Sequence, residues 1–322
     1  MDKELHQSTV LLDAHCDTLL KLHQHKKSLG DNLTNGHIDL GKLKAGGVNV
    51  QFFAIFIDPD YGEARGCQRA LELIDVYYQQ CDQYQDQIVP ATSSNDIRLA
   101  VQNKQIATVL AIEGGEALGG KLHMLRIYHL LGVRCLTLTW NGRNSIADGV
   151  GEGQTKSGLT KFGQSVVKEM NHLGMIIDVS HISETGFWDV VKLTHQPLVA
   201  THSNCAALCQ HPRNLTDQQI KAIAATNGVI GITLVPQFVS PEKPTIESYI
   251  DHIDHVANLL GNTKHIGIGT DFDGVDKTIP EIYDCSMLPL IAEKLLHRGY
   301  SKDDINNILS GNFLRVFSDV VG

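Results

Sequence analysis

A histidine and an aspartate stand directly after the first apolar run of the sequence. The stretch "VLLDAHCDTLLKLHQ", residues 10–24, reads as a buried strand leading into a helix, with His15 and Asp17 between the two. Side chains alternate between the faces of a strand, so His15 and Asp17 point to one side and Cys16 to the other. An imidazole and a carboxylate on one side of a strand form a candidate pair of metal ligands.

The same His-x-Asp spacing occurs twice more, at His37/Asp39 and His252/Asp254. Asp39 precedes "LGKLKAGG", where an aspartate is expected to cap a short helix. His252 and Asp254 lie in a stretch whose apolar residues have helical spacing, and both are expected to face solvent. Only the first copy ends an apolar strand, so the strand context carries the metal prediction.

Apolar, strand-like runs alternate with amphipathic helical stretches along the whole chain, which predicts βα units and a parallel sheet. Near-continuous apolar character is typical of strands buried on both faces. Eight such units favour a (β/α)8 TIM barrel, with a doubly wound sheet as the alternative. The predicted strands cover residues 10–17, 48–56, 106–114, 135–140, 175–181, 197–203, 229–235 and 265–273.

Active sites of such barrels lie where the strands end at their carboxyl side. Each polar residue there, taken alone, is well explained as a helix cap or a satisfied core side chain, and Asp178 keeps that interpretation. The others together predict a metal site at one barrel mouth. The polar residues at the strand ends are His15, Asp17, Glu113, Asp178, His181, His202, Asp271 and Asp273.

Nitrogen and oxygen ligands without thiolate favour Zn²⁺, Mn²⁺ or Co²⁺. Glu113, placed centrally, is suited to bridge two ions roughly 3.5 to 4 Å apart, the spacing of two-metal hydrolases. Such a site generates hydroxide near neutral pH and suits attack on a carbonyl. The stretch "GTDFDG" resembles the start of a calcium-binding loop, but the glutamate that completes an EF-hand does not follow.

Composition excludes several classes of partner. The 322 residues carry a formal net charge of −9 and no Lys/Arg-rich stretch, which argues against nucleic acid. The longest apolar runs are strand-sized, so no membrane span is predicted. The polar start "MDKELHQSTV" lacks a signal sequence, and the seven scattered cysteines contain no C-x-x-C pair, which predicts reduced thiols and a cytoplasmic location.

The chain is predicted to form one catalytic barrel domain over residues 1–322. After the eighth strand, "CSMLPLIAEKLLHRG" and "SKDDINNILSGNFLRVF" predict two extra C-terminal helices that cover the barrel exterior. The longest irregular stretch, residues 141–158, is rich in Gly, Asn and Ser. Loops of that length in compact domains commonly serve as lids or binding loops.

Six motifs in this order resemble the membrane dipeptidase (renal dipeptidase) family of zinc hydrolases, which belongs to the amidohydrolase-like barrels. The resemblance extends over nearly the whole chain and implies a zinc dipeptidase that acts on small dipeptides, including those with a C-terminal D-residue, and that commonly forms homodimers. The motifs are "DAHCDT", "AIEGGEAL", "DVSHIS", "ATHSNCAAL", "HPRNLTD" and "GIGTDFDG".

Carried over by motif, the resemblance assigns His15 and Asp17 to one zinc ion and His181 and His202 to the other, with Glu113 as the bridge. It implies that a hydroxide bridging the two ions attacks the peptide carbonyl.

The resemblance also implies two roles for residues that bind no ion. Asp271 is implied to be the acid/base residue that passes the proton to the leaving amine. Arg213, in "HPRN", is implied to bind the C-terminal carboxylate of the substrate, a task suited to a bidentate guanidinium.

One position departs from the family pattern. In the mammalian members a histidine associated with the oxyanion follows the "LTLT" strand, whereas "LTLTWNGRN" has Trp140 there. Indole donates one hydrogen bond but cannot be protonated. Three interpretations stay open: Asn141 or Asn144 takes over, the metals act alone, or Trp140 merely packs at the strand end.

Two other functions fit these residues less well than a dipeptidase does. A different amidohydrolase-type hydrolase, acting on a β-lactam, a lactone or an amine, usually begins with His-x-His and bridges its metals with a modified lysine, unlike His15-Cys16-Asp17 and Glu113. A catalytically silent, metal-containing peptide-binding protein is disfavoured because the whole candidate site is present.

Overall fold

In the computed structural model, residues 10–33 and 36–322 are described, and the predicted polar start at residues 1–9 lies outside them. Nine parallel strands of the described residues form one sheet. The strands are β1 (Leu11–Asp13), β2 (Val48–Phe56), β3 (Ile88–Pro90), β4 (Ile106–Glu113), β5 (Val133–Thr137), β6 (Ile176–Asp178), β7 (Leu198–Ala200), β8 (Val229–Ile232) and β9 (Ile266–Ile268).

Eight of these strands form a nearly closed barrel in the order β1-β2-β4-β5-β6-β7-β8-β9. Main-chain hydrogen bonds join its ends: the N–H of Ala14 donates to the carbonyl of Ile268, and that of Asp17 to Phe272, at 3.0 and 2.9 Å. The (β/α)8 prediction is confirmed, and the doubly wound alternative is wrong because the first and last strands meet.

The additional strand β3 was not predicted, because "IVP" contains too few apolar residues to stand out. It pairs with Ile106–Thr108 of β4, whereas Leu110–Glu113 of β4 pair with β5. The short strand β3 therefore pairs with the first part of β4, and β5 pairs with the last part. It lies away from the carboxyl ends of the strands, where the polar residues collect.

Helices follow the strands and cover the sheet. Their ends carry the expected signals: Ser93, Thr216 and Thr245 form capping boxes, and Gly174 and Gly261 end helices in the left-handed conformation. The helices are α1 (Thr18–His25), α2 (Leu40–Ala45), α3 (Gly62–Gln83), α4 (Ser94–Gln102), α5 (Leu122–Leu130), α6 (Lys161–Leu173), α7 (Glu184–Leu193), α8 (Asp217–Ala225), α9 (Pro236–Val239), α10 (Ile246–Leu260), α11 (Pro289–His297), α12 (Lys302–Asn306) and α13 (Asn312–Val320).

The last helix, α13, differs from its prediction. Phe313 and Phe317 pack against Phe52 of β2, with ring centroids 6.5 and 6.3 Å apart, in the same cluster as the inward-facing residues Leu12 and Val109. Helix α13 thus covers the floor of the barrel interior instead of its exterior, because its buried face packs against side chains that point into the barrel. The extent of the domain over residues 1–322 stays a prediction.

The two repeated His-x-Asp pairs have structural partners. Asp39 caps α2 by accepting from the N–H of Lys42 at 2.8 Å, as predicted. The prediction that His252 faces solvent is wrong: its Nδ1 accepts from the N–H of Cys205, and its Nε2 lies 2.9 Å from the carbonyl of Val239. Helix α10 buries this histidine because two backbone groups satisfy the ring.

All seven cysteines are free thiols, and only Cys67 is partly exposed. Cys205 and Cys209, which share a helical spacing, donate to the carbonyls of His252 and Gln237 and form no metal site. Among the helices of residues 10–33 and 36–322, none is both long and apolar enough to cross a membrane.

Candidate metal centre

Glu113, the last residue of β4, lies at the centre of a cluster of histidines at the carboxyl ends of the strands. Its Oε2 is 3.5 Å from Nε2 of His15. Its Oε1 is 2.9 Å from Nε2 of His181 and 3.5 Å from Nε2 of His202. All four side chains are buried, so three strand ends place their imidazoles around one carboxylate.

The segment after β1 places the next two groups as the alternation predicts. Nε2 of His15 is 3.5 Å from Oδ2 of Asp17, so both side chains share one side. Cys16 points away, and its thiol donates to the carbonyl of Phe52. The regular strand ends at Asp13, earlier than predicted, but the chain stays extended because the N–H of Ala54 donates to the carbonyl of Cys16.

His181 is held by the loop of residues 141–158. Its Nδ1 lies 2.8 Å from Oδ1 of Asn141, and its carbonyl accepts from the N–H of Val150. The φ of His181 is 67°, a left-handed value that is uncommon for a residue with a side chain. The long loop therefore grips a candidate ligand from two directions, which fixes a strained turn at the site.

The loop after β9 brings Asp271 next to Asp17. Asp271 and Asp273 both have left-handed φ values, 62° and 66°, which aspartate tolerates better than most residues. Asp273 binds elsewhere: its carboxylate accepts from the hydroxyl of Thr18 and the N–H of His37, and Lys21 is 3.2 Å away. The turn thus directs the carboxylate of Asp271 to the site and that of Asp273 to contacts that hold the loop.

Gly274 allows the two site aspartates to approach. A Cβ at this position would lie 2.2 Å from Oδ1 of Asp271 and 2.4 Å from Oδ2 of Asp17. We expect Gly274→Ala to lower kcat/KM about 100-fold, because a displacement of about 1 Å at reacting groups costs that much. Steady-state kinetics with a dipeptide measure the effect.

Gly153→Ala is the control for this change, since the nearest atom to its added methyl would be 3.5 Å away. Its kinetics should match those of the unchanged chain. Equal kinetics for the Gly274 variant would contradict the assignment of Asp17 and Asp271 to the site.

Electrostatic coupling within the cluster is strong. Burial alone would lower the pKa of His15, but Glu113 and Asp17 raise it well above its ordinary value. Burial alone would raise the pKa of Glu113, but His15 and His181 hold it well below its ordinary range. The carboxylate is therefore ionised and the site attracts positive charge.

Burial lowers the pKa of the neighbouring histidine and raises the pKa of the neighbouring aspartates, the opposite of the shifts at His15 and Glu113. Burial and the charge of Arg213 lower the pKa of His181 to about 4. Burial and the charge of Glu113 raise the pKa of Asp17 to about 6, and burial with Asp17 raises the pKa of Asp271 well above its ordinary value. Several titratable groups shifted in opposite directions within one cleft are typical of a functional site.

Two buried atoms of the cluster fit a bound cation. Nε2 of His15 and Oδ1 of Asp17 have no hydrogen-bond partner, which is costly for buried polar atoms. The described residues contain two groups of three potential ligands, and within each group the ligand atoms lie within 4.8 Å of one another. Both groups include His15. They are His15, Glu113 and His202, and His15, Asp17 and Asp271.

The contact between His181 and His202 fits a cation as well. Their Nε2 atoms lie 2.8 Å apart, while the Nδ1 atoms face oxygens of Asn141 and Thr201 that bind ring hydrogens. With the hydrogens on Nδ1, two lone pairs face each other across a distance that is repulsive. A cation between or beside them removes the repulsion, and imidazole and carboxylate donors suit zinc.

A cavity of about 210 Å³ opens beside the cluster. Asp17, Glu113, His181 and Asp271 line its polar side. Its other walls are Leu20, Phe56, Asp58, Pro59, Trp140, Asp273 and Gly274. Ligand pockets typically measure roughly 300 to 1,000 Å³, so this cavity suits a small substrate.

The predicted substrate-binding residues fall into two groups. Trp140 lines the cavity, with its ring 5.5 Å from that of Phe56. Asn141 contacts His181 as described, and Arg213 lies outside the cavity wall, where its guanidinium donates to the carbonyl of His202 and stacks on Phe238. The Nε of Arg213 has no partner although it is buried.

Asn144, the alternative to Asn141, is occupied within the loop. Its amide donates to Glu116 and to the carbonyl of Leu138, and its oxygen accepts from the N–H of Ile146. Sequence reasoning missed Thr201, whose hydroxyl contacts His15 and His202, and treated Asp178 as merely structural, although it binds that hydroxyl. A threonine preceding His202 carries no signal in the sequence that would single it out.

Comparison with known proteins identifies a matching family and similar relatives. The model of the membrane dipeptidase family, peptidase family M19, matches residues 1–321. Dipeptidase verJ of Clonostachys rogersoniana is 33% identical over 300 residues, covering 90% of this chain and 77% of that protein. Dipeptidase aclJ of Aspergillus oryzae is 33% identical over 297 residues, covering 88% and 70%.

Solved structures are similar over nearly their whole length. A metallo-peptidase of family M19 described as dipeptidase AC has a TM-score of 0.92 at 28% identity and covers 98% of this chain and 99% of its own. A metallo-peptidase from Rhodobacter sphaeroides, liganded with a phosphinate mimic of L-Ala-D-Ala, has a TM-score of 0.91 at 27% identity, with coverage of 97% and 100%.

The fold and the relatives define the class of enzyme, a metallo-dipeptidase built on a (β/α)8 barrel. This chain belongs to the membrane dipeptidase family, peptidase family M19. The resemblance drawn from its six motifs is thereby confirmed.

Proposed function

We propose that this chain hydrolyses L,L- and L,D-dipeptides with two zinc ions, for which Mn²⁺ or Co²⁺ are alternatives. The observation that carries the proposal is the position of Glu113, whose carboxylate oxygens lie within 3.5 Å of three histidine Nε2 atoms. Glu113 would bridge the ions, His15 and Asp17 would hold one, and His181 and His202 the other.

Bound zinc would supply Lewis-acid activation of the scissile carbonyl and of water near neutral pH. The chain's own groups would do the remaining work. Asp271, whose pKa burial and Asp17 raise, would hold a proton near neutral pH and pass it to the leaving amine. Glu113, ionised at the centre of the cluster, would supply negative charge that holds the ions.

The cavity supports a dipeptide as the substrate. Its apolar lining of Leu20, Phe56 and Trp140 suits a side chain, while Asp17, Glu113, His181 and Asp271 supply polar groups in the same cavity. The Rhodobacter relative was liganded with a mimic of L-Ala-D-Ala, which favours tolerance of a D-residue. Trp140 would contact the substrate by packing, since indole takes up no proton.

The setting of the enzyme is part of the proposal. Seven free cysteines favour a reducing compartment, and we propose the cytoplasm. The formal charge of −9 disfavours nucleic acid as a partner. A homodimer stays a prediction of the family resemblance.

A kinetic screen with matched L,L- and L,D-dipeptides tests the proposal. Protein stripped of metal with a chelator should be inactive, and zinc should restore hydrolysis at two ions per chain, measured by elemental analysis. Zinc should also raise the melting temperature, because a ligand at about 1,000 times its Kd stabilises the fold by about 4 kcal/mol. Zinc-loaded protein that cleaves no dipeptide would refute the function.

Arg213→Lys is expected to raise KM for dipeptides about 10- to 100-fold with a smaller change in kcat. We propose that Arg213 binds the substrate carboxylate, and hydrogen bonds to charged groups are worth about 1.5 to 3 kcal/mol. Lysine keeps the charge but loses the planar, bidentate geometry. Initial-rate kinetics over a range of substrate concentrations separate the two constants.

A dipeptide amide provides the control because it lacks the carboxylate. Its KM should already be high with the unchanged chain and should hardly change in the variant. If Arg213→Lys raises KM for the amide and for the free dipeptide by the same factor, Arg213 acts on His202 and not on the substrate.

A further inference from the structure

The hydroxyl of Thr201 lies where the two halves of the proposed ligand set meet. Its Oγ1 is 2.9 Å from Nδ1 of His202 and 3.4 Å from Nδ1 of His15. The same oxygen is 2.6 Å from Oδ2 of Asp178. All four side chains are buried. One hydroxyl therefore contacts a histidine assigned to each of the two ions.

Asp178 determines the direction of these hydrogen bonds. Its Oδ1 accepts from the N–H groups of Ser180 and Thr201, and its Oδ2 accepts from the hydroxyls of Thr137 and Thr201. A carboxylate surrounded by four donors acts as an acceptor. The hydroxyl hydrogen of Thr201 therefore points at Asp178, and only its lone pairs face the two imidazoles.

We propose that Asp178 and Thr201 form a positioning pair that places the ring hydrogens of His15 and His202 on Nδ1 and so directs both Nε2 lone pairs at the metal ions. The inference rests on the proposed metal site and adds two residues that bind no ion. It matches the geometry, because Nε2 of each ring faces Glu113 at 3.5 Å.

The backbone fixes the hydroxyl in this place. A Cβ on Gly231 or Gly269 would lie 2.0 or 1.6 Å from the carbonyl oxygen of Thr201, so both positions accept only glycine. The N–H of Thr201 is bonded to Asp178 as well. Thr201 cannot shift without disturbing the neighbouring strands, which makes its oxygen a rigid reference point for both rings.

Partners of this kind typically change metal affinity about 10- to 100-fold when they are removed. We expect Thr201→Val to lower the affinity for both zinc ions by that factor, because Thr201 contacts a ligand of each ion. Thr201→Ser should restore both affinities. Competition with a chromophoric chelator measures both constants. Thermal unfolding of the metal-free proteins is the control and should differ far less than the affinities.

Nitrogen NMR of histidine-labelled, metal-free protein, at a pH where His202 is neutral, reports the tautomer without any metal. The unchanged chain and Thr201→Ser should hold the hydrogen on Nδ1, and Thr201→Val should give a mixture. Asp178→Asn should move the hydrogen to Nε2, because an amide that donates to Oγ1 makes the hydroxyl donate to the ring.

An unchanged tautomer together with unchanged zinc affinities in Thr201→Val would overturn the proposal. A loss of affinity for only one of the two zinc ions would overturn the link between the two halves of the site. A chain that cleaves no dipeptide would refute the proposed function, and the tautomer measured without metal would still decide whether Asp178 and Thr201 orient His202.

Discussion

Asp271→Asn is expected to lower kcat about 10²- to 10⁴-fold, the range that a positioned general acid or base contributes. Asparagine has nearly the same shape and also tolerates the left-handed backbone of this turn, where φ is 62°. The amide cannot pass a proton to the leaving amine. Zinc content should stay close to that of the unchanged chain, which elemental analysis measures alongside the kinetics.

Asp273→Asn is the matched control, because it makes the same change in the same loop with the same left-handed backbone. Its carboxylate is bonded to Thr18 and His37 instead of facing Asp17, so kcat should fall far less. Equal losses in both variants would point to a general effect of charge. Loss of zinc in the Asp271 variant would identify that residue as a ligand.

Glu113→Gln is expected to remove metal and activity together. The amide keeps the volume but loses the charge to which three imidazoles are directed, at 2.9 to 3.5 Å. Because metal ions supply several kcal/mol to such a reaction, kcat/KM should fall at least about 10³-fold. The number of zinc ions per chain after dialysis is the direct measurement.

Glu116→Gln tests whether this effect belongs to the site. Glu116 is also buried, three positions further along the chain, but its carboxylate accepts from the amide of Asn144. Zinc content and kcat/KM should be nearly unchanged. If the Glu113 variant keeps two ions and full activity, the bridging role is refuted.

The barrel could be predicted because its strands are buried on both faces and appear as apolar runs. The predicted ends were too long, however. The run at 175–181 contains a strand only over Ile176–Asp178, and the run at 265–273 only over Ile266–Ile268. After these strands, His181 and Asp271 adopt left-handed backbone conformations that place their side chains. Local sequence propensity does not predict such a turn.

The candidate ligands could be predicted as well, because a polar residue ending an apolar strand is conspicuous. Their supporting partners could not. Thr201 and Asp178 derive their importance from atoms brought close by the sheet, and Asp178 alone looks like an ordinary cap. His252 misled for the same reason, since the backbone groups that bury it come from distant segments.

The position of α13 has a consequence for how the enzyme is made. The floor of the barrel is completed by Phe313 and Phe317, which leave the ribosome after all nine strands. Until then the nascent sheet exposes an apolar interior, which is the state that chaperones bind and that aggregates. We expect the floor of the barrel to close only after Phe313 and Phe317 have emerged, so that all nine strands are made before their apolar interior is covered.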